Sequence, residues 1–283
     1  MHMKIKAHAK INWSLDILNR RDDGYHEMDM LMQQVELHDE IMISPSRFTT
    51  LTVNGKTVSN AGKNLIIRAA NALNEYTGEK KSARIDLNKR IPVRAGLGGG
   101  SADCAAVLIA LNEFWKLKIP FAGLLKIGEK LGADVPYCMT GGLCRVRGIG
   151  EIVESVTGAP SANLVIHAVG SGLSTQAVFS DFDISGDGAL HVDTKAVQEA
   201  IVSENYIQAQ NVTGNALERA AVRMLPEIEN EIRALKDMGA LYYAMSGSGS
   251  AVYGVFESEK DAKSASEKIP NSFVTKTIKA EEA

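Results

Sequence analysis

The chain has 283 residues, 45% of them hydrophobic, with 31 basic against 34 acidic side chains and a net charge of −3. A chain of this size can bury a full core and more readily makes two domains than one, while its near-neutral charge gives no reason to expect nucleic acid as a partner. No apolar run is long enough to span a bilayer, and the opening Met1-His2-Met3-Lys4-Ile5-Lys6 has no signal-peptide core, so the expectation is a cytoplasmic protein with no membrane partner.

Met3 to Leu18 sets apolar residues at odd positions against Lys4, Lys6, His8, Lys10, Asn12, Ser14 and Asp16, a period of two that predicts a strand. By pattern alone, the lysine-bearing face is a solvated one. Asn19 to Gly24 predicts a turn with Asp23-Gly24 as the hairpin signal, followed by strands over Met30–Leu37 and Glu40–Ile43. Tyr25 and His26, just after the turn, read on their own as a surface pair. Thr49 to Gly55 predicts another hairpin element, Asn64 to Tyr76 a helix stopped by Gly78, and Ala83 to Leu87 a short strand.

That strand feeds Ile91-Pro92-Val93-Arg94-Ala95-Gly96-Leu97-Gly98-Gly99-Gly100-Ser101-Ala102-Asp103, with four glycines in five positions before a helix-favouring run from Ala102 to Leu111. Glycines let the backbone approach an anion closely, and the first N–H groups of a helix point at it with the favourable end of the dipole. Ser101 is expected to cap the helix, its hydroxyl facing a phosphate or a metal. A flexible turn is the alternative. The stretch is neither a Walker loop, which needs Lys-Ser/Thr after its last glycine, nor a dinucleotide fingerprint, which needs a third glycine where Ala102 stands.

Pro120 is expected to open the next helix and Gly132 to end it. Asp134, in Ala133-Asp134-Val135-Pro136, reads by spacing as the N-cap of a further short helix. Turns and a strand follow through Glu151, and around Ala159-Pro160-Ser161 the composition changes, so the expected domains are 1–158 and 159–283. The second domain predicts a strand at Leu164–Val169, a loop at Gly186-Asp187-Gly188, and helices at Thr194–Ser203, Gly214–Leu225 and Pro226–Met238. It continues with a strand, a Ser246-Gly247-Ser248-Gly249 loop and a strand within Tyr242–Phe256, a helix at Glu259–Lys268, a strand at Ser272–Ile278 and a polar tail over Lys279–Ala283. This alternation predicts a small α+β sandwich. Cys104, Cys138 and Cys144 have neither metal-ligand spacing nor an even count, so free thiols are expected.

Three of these pieces, in order, resemble the kinase superfamily that includes galactokinase, homoserine kinase and mevalonate kinase: the Lys10 strand, Pro92-x3-Gly96-Leu97-Gly98-x-Gly100-Ser101, and the Ser246-to-Gly249 loop. Lys6-Ala7-x-Ala9-Lys10-Ile11-Asn12, Asp23-Gly24-Tyr25-His26-Glu27, Gly96 to Asp103 and Gly132 to Pro136 further resemble the branch acting on a cytidine-diphosphate-linked methylerythritol. The resemblance covers essentially the whole chain. It implies a two-domain α+β fold, with a mixed α/β N-terminal domain holding the Gly-rich loop and a ferredoxin-like C-terminal sandwich. It also implies ATP-dependent phosphorylation of a tertiary hydroxyl, in the non-mevalonate route to isoprenoid precursors.

The resemblance further implies that Lys10 and Asp134 are the catalytic pair, and that Pro92, Val93, Arg94, Ala95, Gly96, Leu97, Gly98, Gly99, Gly100, Ser101 and Ala102 bind ATP. Asn12, Tyr25, His26 and Phe179 would hold the substrate, with Phe179 and Tyr25 on either side of the cytosine unless Phe179 is simply core. Ser246, Gly247, Ser248 and Gly249 would support the phosphate loop, and Mg²⁺ is expected with Ser101 as its protein ligand. A small-molecule substrate and a monomer or weak homodimer complete the expectation. His8 stands where this family usually has proline, and Ser250-Ala251 where Pro-Thr is usual, which touches strand and loop geometry rather than any reacting group. Another small-alcohol kinase of the superfamily, of homoserine or mevalonate type, and an inactive nucleotide-binding relative stay open.

Overall fold

The computed structural model describes residues 2–58, 61–186 and 191–279. The chain runs through β1 (Met3–Arg20), β2 (His26–Pro45), β3 (Thr50–Val53), β4 (Lys56–Thr57), α1 (Leu65–Thr77), β5 (Ala83–Asn88), α2 (Gly99–Phe114), α3 (Phe121–Leu131), α4 (Val135–Thr140), β6 (Leu143–Gly148) and β7 (Ile152–Ser155). It continues with β8 (Asn163–Ala168), α5 (Thr175–Ser185), α6 (Thr194–Val202), α7 (Tyr206–Val212), α8 (Glu218–Met224), α9 (Glu227–Asp237), β9 (Tyr242–Met245), β10 (Ala251–Phe256), α10 (Glu259–Ser266) and β11 (Phe273–Lys276). The expected loop at Gly186-Asp187-Gly188 and the polar tail fall largely outside the described residues.

Contacts sort the chain into two compact units: Met1–Ala9, His38–Ile91 and Gly98–Thr140 form one, and Lys10–Leu37, Pro92–Leu97 and Gly141–Ala283 the other. In the first, the later part of β2 pairs antiparallel with β5, bringing Ile41 opposite Leu87 and Ile43 opposite Ile85, while β3 runs parallel to β5 and pairs with β4. Alternation puts Ile41, Ile43, Leu51, Ile85 and Leu87 on one face, where they join Ile66, Leu73, Leu108, Leu111 and Val135 from the helices in a single core. Helix α1 ends as its sequence predicts, with Asn64 Oδ1 accepting the Ile66 N–H at one end and Gly78 left-handed at the other. In α2, Ala102, Ala105, Ala106 and Ala110 are buried, small side chains that let neighbouring helices approach closely.

In the second unit, the earlier part of β2 pairs with β6, and β6 with β7. A separate antiparallel sheet has the order β11-β8-β10-β9. With α5 to α9 between β8 and β9, and α10 between β10 and β11, this is the βαββαβ order of a ferredoxin-like sandwich, as the resemblance implies. Trp13 of β1 packs edge-on against Tyr242 and Tyr253, whose hydroxyls donate to the carbonyls of Trp13 and Asn12 respectively. Burial drives both phenols well above their usual range, so they stay neutral donors.

Several sequence expectations are corrected. Strand β2 is continuous, whereas two separate strands, Met30–Leu37 and Glu40–Ile43, were expected. Asp39 is buried against a lysine fifty residues away, a partner that local pattern cannot reveal. Residues Lys10 to Asp16 of β1 are buried on both faces, not solvated. Helices α5 and α7 were not expected. Ser101 does not cap α2: the helix begins at Gly99 after a left-handed Gly98, so Ser101 already lies in the first turn. Glycine makes the turn without a side-chain cap.

Candidate active site

The Gly-rich loop is held by its carbonyls. Arg94 O accepts from Leu173 N at 3.0 Å, Ala95 O from Ala251 N at 2.9 Å, Gly96 O from Ser246 Oγ at 3.0 Å and Leu97 O from Lys10 N at 3.0 Å. Four consecutive carbonyl acceptors are therefore bonded within the protein. Ala95 and Leu97 are buried pegs, and Gly96 is left-handed at φ 76°, where an added Cβ would lie 2.0 Å from Ser246 O. Only glycine fits there. Gly98 turns the chain into α2 at φ 68°, whereas Gly99 and Gly100 are ordinary helical residues. Gly99 lacks a side chain for a packing reason, since a Cβ would sit 2.9 Å from Ile91 Cγ2 and 3.0 Å from Lys89 Nζ. Pro92 is half-buried, and Val93 and Arg94 are exposed.

Lys10 is only 4% exposed. Its ammonium donates to Asn12 Oδ1 and lies 3.1 Å from where a Cβ of Gly247 would stand. Its backbone N–H meanwhile bonds the Gly-rich loop, so the three sequence motifs converge on this one residue. Asn12 Nδ2 turns to Met30 Sδ. The Ser246-to-Gly249 loop is pinned by Asn215, whose Nδ2 donates to Met245 O at 3.0 Å and Gly247 O at 2.8 Å. Ser248 Oγ shares a hydrogen bond with Thr175 Oγ1 at 2.9 Å. Ser250, in the place of the usual proline, donates its hydroxyl to Val169 O. Sequence reasoning missed Asn215 because it fell within the expected Gly214–Leu225 helix, whereas α8 begins only at Glu218.

His26 is 8% exposed and stacks on Phe179 with ring centroids 4.9 Å apart, while its Nε2 lies 2.7 Å from Asp183 Oδ1. Phe182 meets the same imidazole edge-on, and Arg20 pairs with Asp183. Helix α5 thus brings Phe179, Phe182 and Asp183 onto the start of β2. Asp183 and Phe182 carried no signal in the sequence, because α5 itself was not recognised. Phe179 is half-buried and partnered by His26, while Tyr25 is exposed. Asp134 belongs to the first unit, half-buried between α3 and α4, with its carbonyl accepting the Cys138 N–H at 3.0 Å. Gly98 to Ala102 belong to that unit as well. None of the three cysteines is in a disulfide, and burial pushes the Cys104 thiol up to about 12 and Cys144 to about 11, so neither of these two is a nucleophile.

The fold and its converging motifs define a class, the GHMP kinases: the GHMP kinases N terminal domain family matches residues 64–142 and the GHMP kinases C terminal family residues 196–275. A homoserine kinase from Cytophaga hutchinsonii shares the fold at TM-score 0.72 and 20% identity, over 98% of this chain and 94% of its own. The 4-diphosphocytidyl-2-C-methyl-D-erythritol kinase of Acetivibrio thermocellus is 40% identical over 98% of this chain and 99% of its own length. That of Pelotomaculum thermopropionicum is 41% identical over 88% and 87%. A crystal structure of 4-(cytidine 5'-diphospho)-2C-methyl-D-erythritol kinase superposes at TM-score 0.84 with 31% identity, over 97% of this chain and 99% of that one. This chain belongs to the 4-diphosphocytidyl-2-C-methyl-D-erythritol kinase family.

Proposed function

We propose that the protein transfers the γ-phosphoryl group of ATP to the tertiary 2-hydroxyl of 4-diphosphocytidyl-2-C-methyl-D-erythritol, in the non-mevalonate route to isoprenoid precursors. The observation that carries this reading is Lys10, whose backbone holds the Gly-rich loop while its buried ammonium lies against Gly247. Phosphoryl transfer asks little covalent chemistry of the protein and depends on position and charge. In this reading Asp134 orients the acceptor hydroxyl and accepts its proton. Lys10 offsets charge on the moving phosphoryl group and, through Asn12, keeps a defined direction. Residues Pro92 to Ala102 line the ATP phosphates in this reading, with the backbone donors drawn from between Pro92, which has no N–H, and Ala102, whose N–H bonds Gly98 O, and with Ser246, Gly247, Ser248 and Gly249 as a brace.

Asn12, Tyr25, His26 and Phe179 hold the cytidine end, where His26 is already oriented by Asp183. Magnesium is expected to arrive with the nucleotide, and the Ser101 hydroxyl, a hard oxygen donor, suits it. Among the described residues no group of three or more His, Cys, Asp or Glu could hold a metal, so in this reading phosphate oxygens and water supply most of its ligands. When bound, the ion neutralises charge on the phosphates. Along the chain, 1–158 would carry the ATP loop and both reacting groups, and 159–283 would add Phe179 and the bracing loop. No described helix is long and apolar enough to cross a membrane. A cytoplasmic monomer or weak homodimer fits this reading. ADP release measured with a panel of acceptors tests it: turnover is expected with the cytidine diphosphate alcohol, and a higher kcat/KM with homoserine or mevalonate would overturn it.

A further inference from the structure

Within the first unit, on the chain segments that flank the Gly-rich loop, is a buried cluster of ionisable groups that the proposed reaction does not use. Lys89 Nζ donates to Asp39 Oδ2 at 2.5 Å and to Asp103 Oδ2 at 2.8 Å. Asp39 is fully buried, and its second oxygen accepts the backbone N–H groups of Arg90 at 2.5 Å and Ile91 at 2.8 Å. The Lys89 N–H is itself tied to Asn54 Oδ1 at 2.7 Å. Ile91 is the last residue before the loop, and Asp103 stands in the opening turns of α2, immediately after it. One lysine therefore joins the upstream end of the loop, gripped through Asp39, to its downstream end, gripped through Asp103. Gly99 completes the fit, because any side chain there would strike Lys89 Nζ and Ile91.

We propose that Asp39, Lys89 and Asp103 are positioning residues that clasp both ends of the Gly-rich loop and thereby set its affinity for nucleotide phosphates. The role rests on the reading of that loop as the ATP site. A chain of glycines loses much conformational entropy when it is ordered. Closing its ends beforehand leaves less of that cost to binding. The arrangement is otherwise an expensive one: two carboxylates and one ammonium out of water, with Asp103 Oδ1 left without a partner. A plain apolar contact would join β5 to α2 as well, so the ion cluster is accounted for by the loop ends it fixes.

The test compares wild type with Lys89→Met, Asp103→Ala and Asp103→Asn. It reads hydrogen exchange over residues 90–103, calorimetric affinity for ADP and for the cytidine substrate, and Tm. In Lys89→Met and Asp103→Ala, residues 90–103 should exchange at least tenfold faster, β8 and β10 should be unchanged, ADP should bind roughly tenfold more weakly, and the cytidine substrate within twofold of wild type. Asp103→Asn keeps a hydrogen bond to Lys89 and should recover most of the ADP affinity. If Lys89→Met does not fold, Asp103→Ala, which leaves the Lys89–Asp39 pair neutral, carries the comparison. Unchanged exchange and ADP affinity would overturn the clasp, as would equal weakening of both ligands in step with a fallen Tm. A wild type that binds no ADP would instead overturn the ATP reading, whatever the exchange pattern of the variants.

Discussion

At the scale of single residues, Lys10 shows how a charged group is kept useful inside a protein. A buried ammonium is costly unless bonded, and Asn12 Oδ1 both compensates it and fixes its direction. Lys10→Met should lower kcat by on the order of 10²-fold or more while ADP still binds through the loop. Single-turnover kinetics beside calorimetry would separate the two, and lost ADP binding with retained chemistry would make Lys10 a binding residue. Asp134→Asn keeps the size and removes the proton acceptor, so a loss of about 10²-fold or more in kcat with normal folding is expected, and near wild-type turnover would contradict the assignment. Phe179→Leu removes a ring stacked on His26. It should raise KM for the cytidine substrate by roughly tenfold, leave ADP affinity alone and cost little stability. A sharp fall in Tm with unchanged KM would make Phe179 a core residue.

At the scale of elements, the loop between Ile91 and Gly99 owes its shape to two left-handed glycines and a run of bonded carbonyls. Gly96→Ala places a methyl group 2.0 Å from Ser246 O at φ 76°, so both the conformation and the neighbouring backbone must yield. Left-handed strain alone is of order 1–3 kcal/mol, and the collision adds to it. ADP affinity should fall more than tenfold, measured by titration. An alanine variant with wild-type affinity would show that this turn does not shape the phosphate site. Gly62→Ala, outside the loop, serves as the control, since nothing lies within 4 Å of its added Cβ.

For the molecule as a whole, the buried cluster makes stability depend on pH. One ammonium cannot neutralise two carboxylates out of water. Burial, together with the nearby Asp39 carboxylate, outweighs Lys89 and raises Asp103 from 3.8 to about 7. A folded-state value above the unfolded one means that the native protein binds the extra proton between pH ~4 and pH ~7. The stabilising contribution is therefore full below about pH 4 and is lost as pH rises towards about 7. Urea unfolding across that range should show wild type losing stability relative to Asp103→Asn as pH increases. A constant difference between the two would mean that Asp103 does not titrate there.

Much of this protein is written in short stretches of sequence. Helix α1 carries its own caps, β1 its alternation, and the Gly-rich run its turn into α2, because these depend on neighbours a few residues away. The three motifs and the kinase fold were legible through the family resemblance that these short runs carry. The tertiary structure alone decided which charges are buried. Asp39 fell between two expected strands and gave no hint that Lys89 would face it, and the polar row Lys10 to Asp16 looked solvated although β1 is buried there on both faces. It alone brought Asn215 to the bracing loop and Asp183 to His26, from 32 and 157 residues away. A hydrogen bond between distant residues leaves no periodicity in the chain. Its energy appears only when folding has brought donor and acceptor together and removed the water that would otherwise satisfy both.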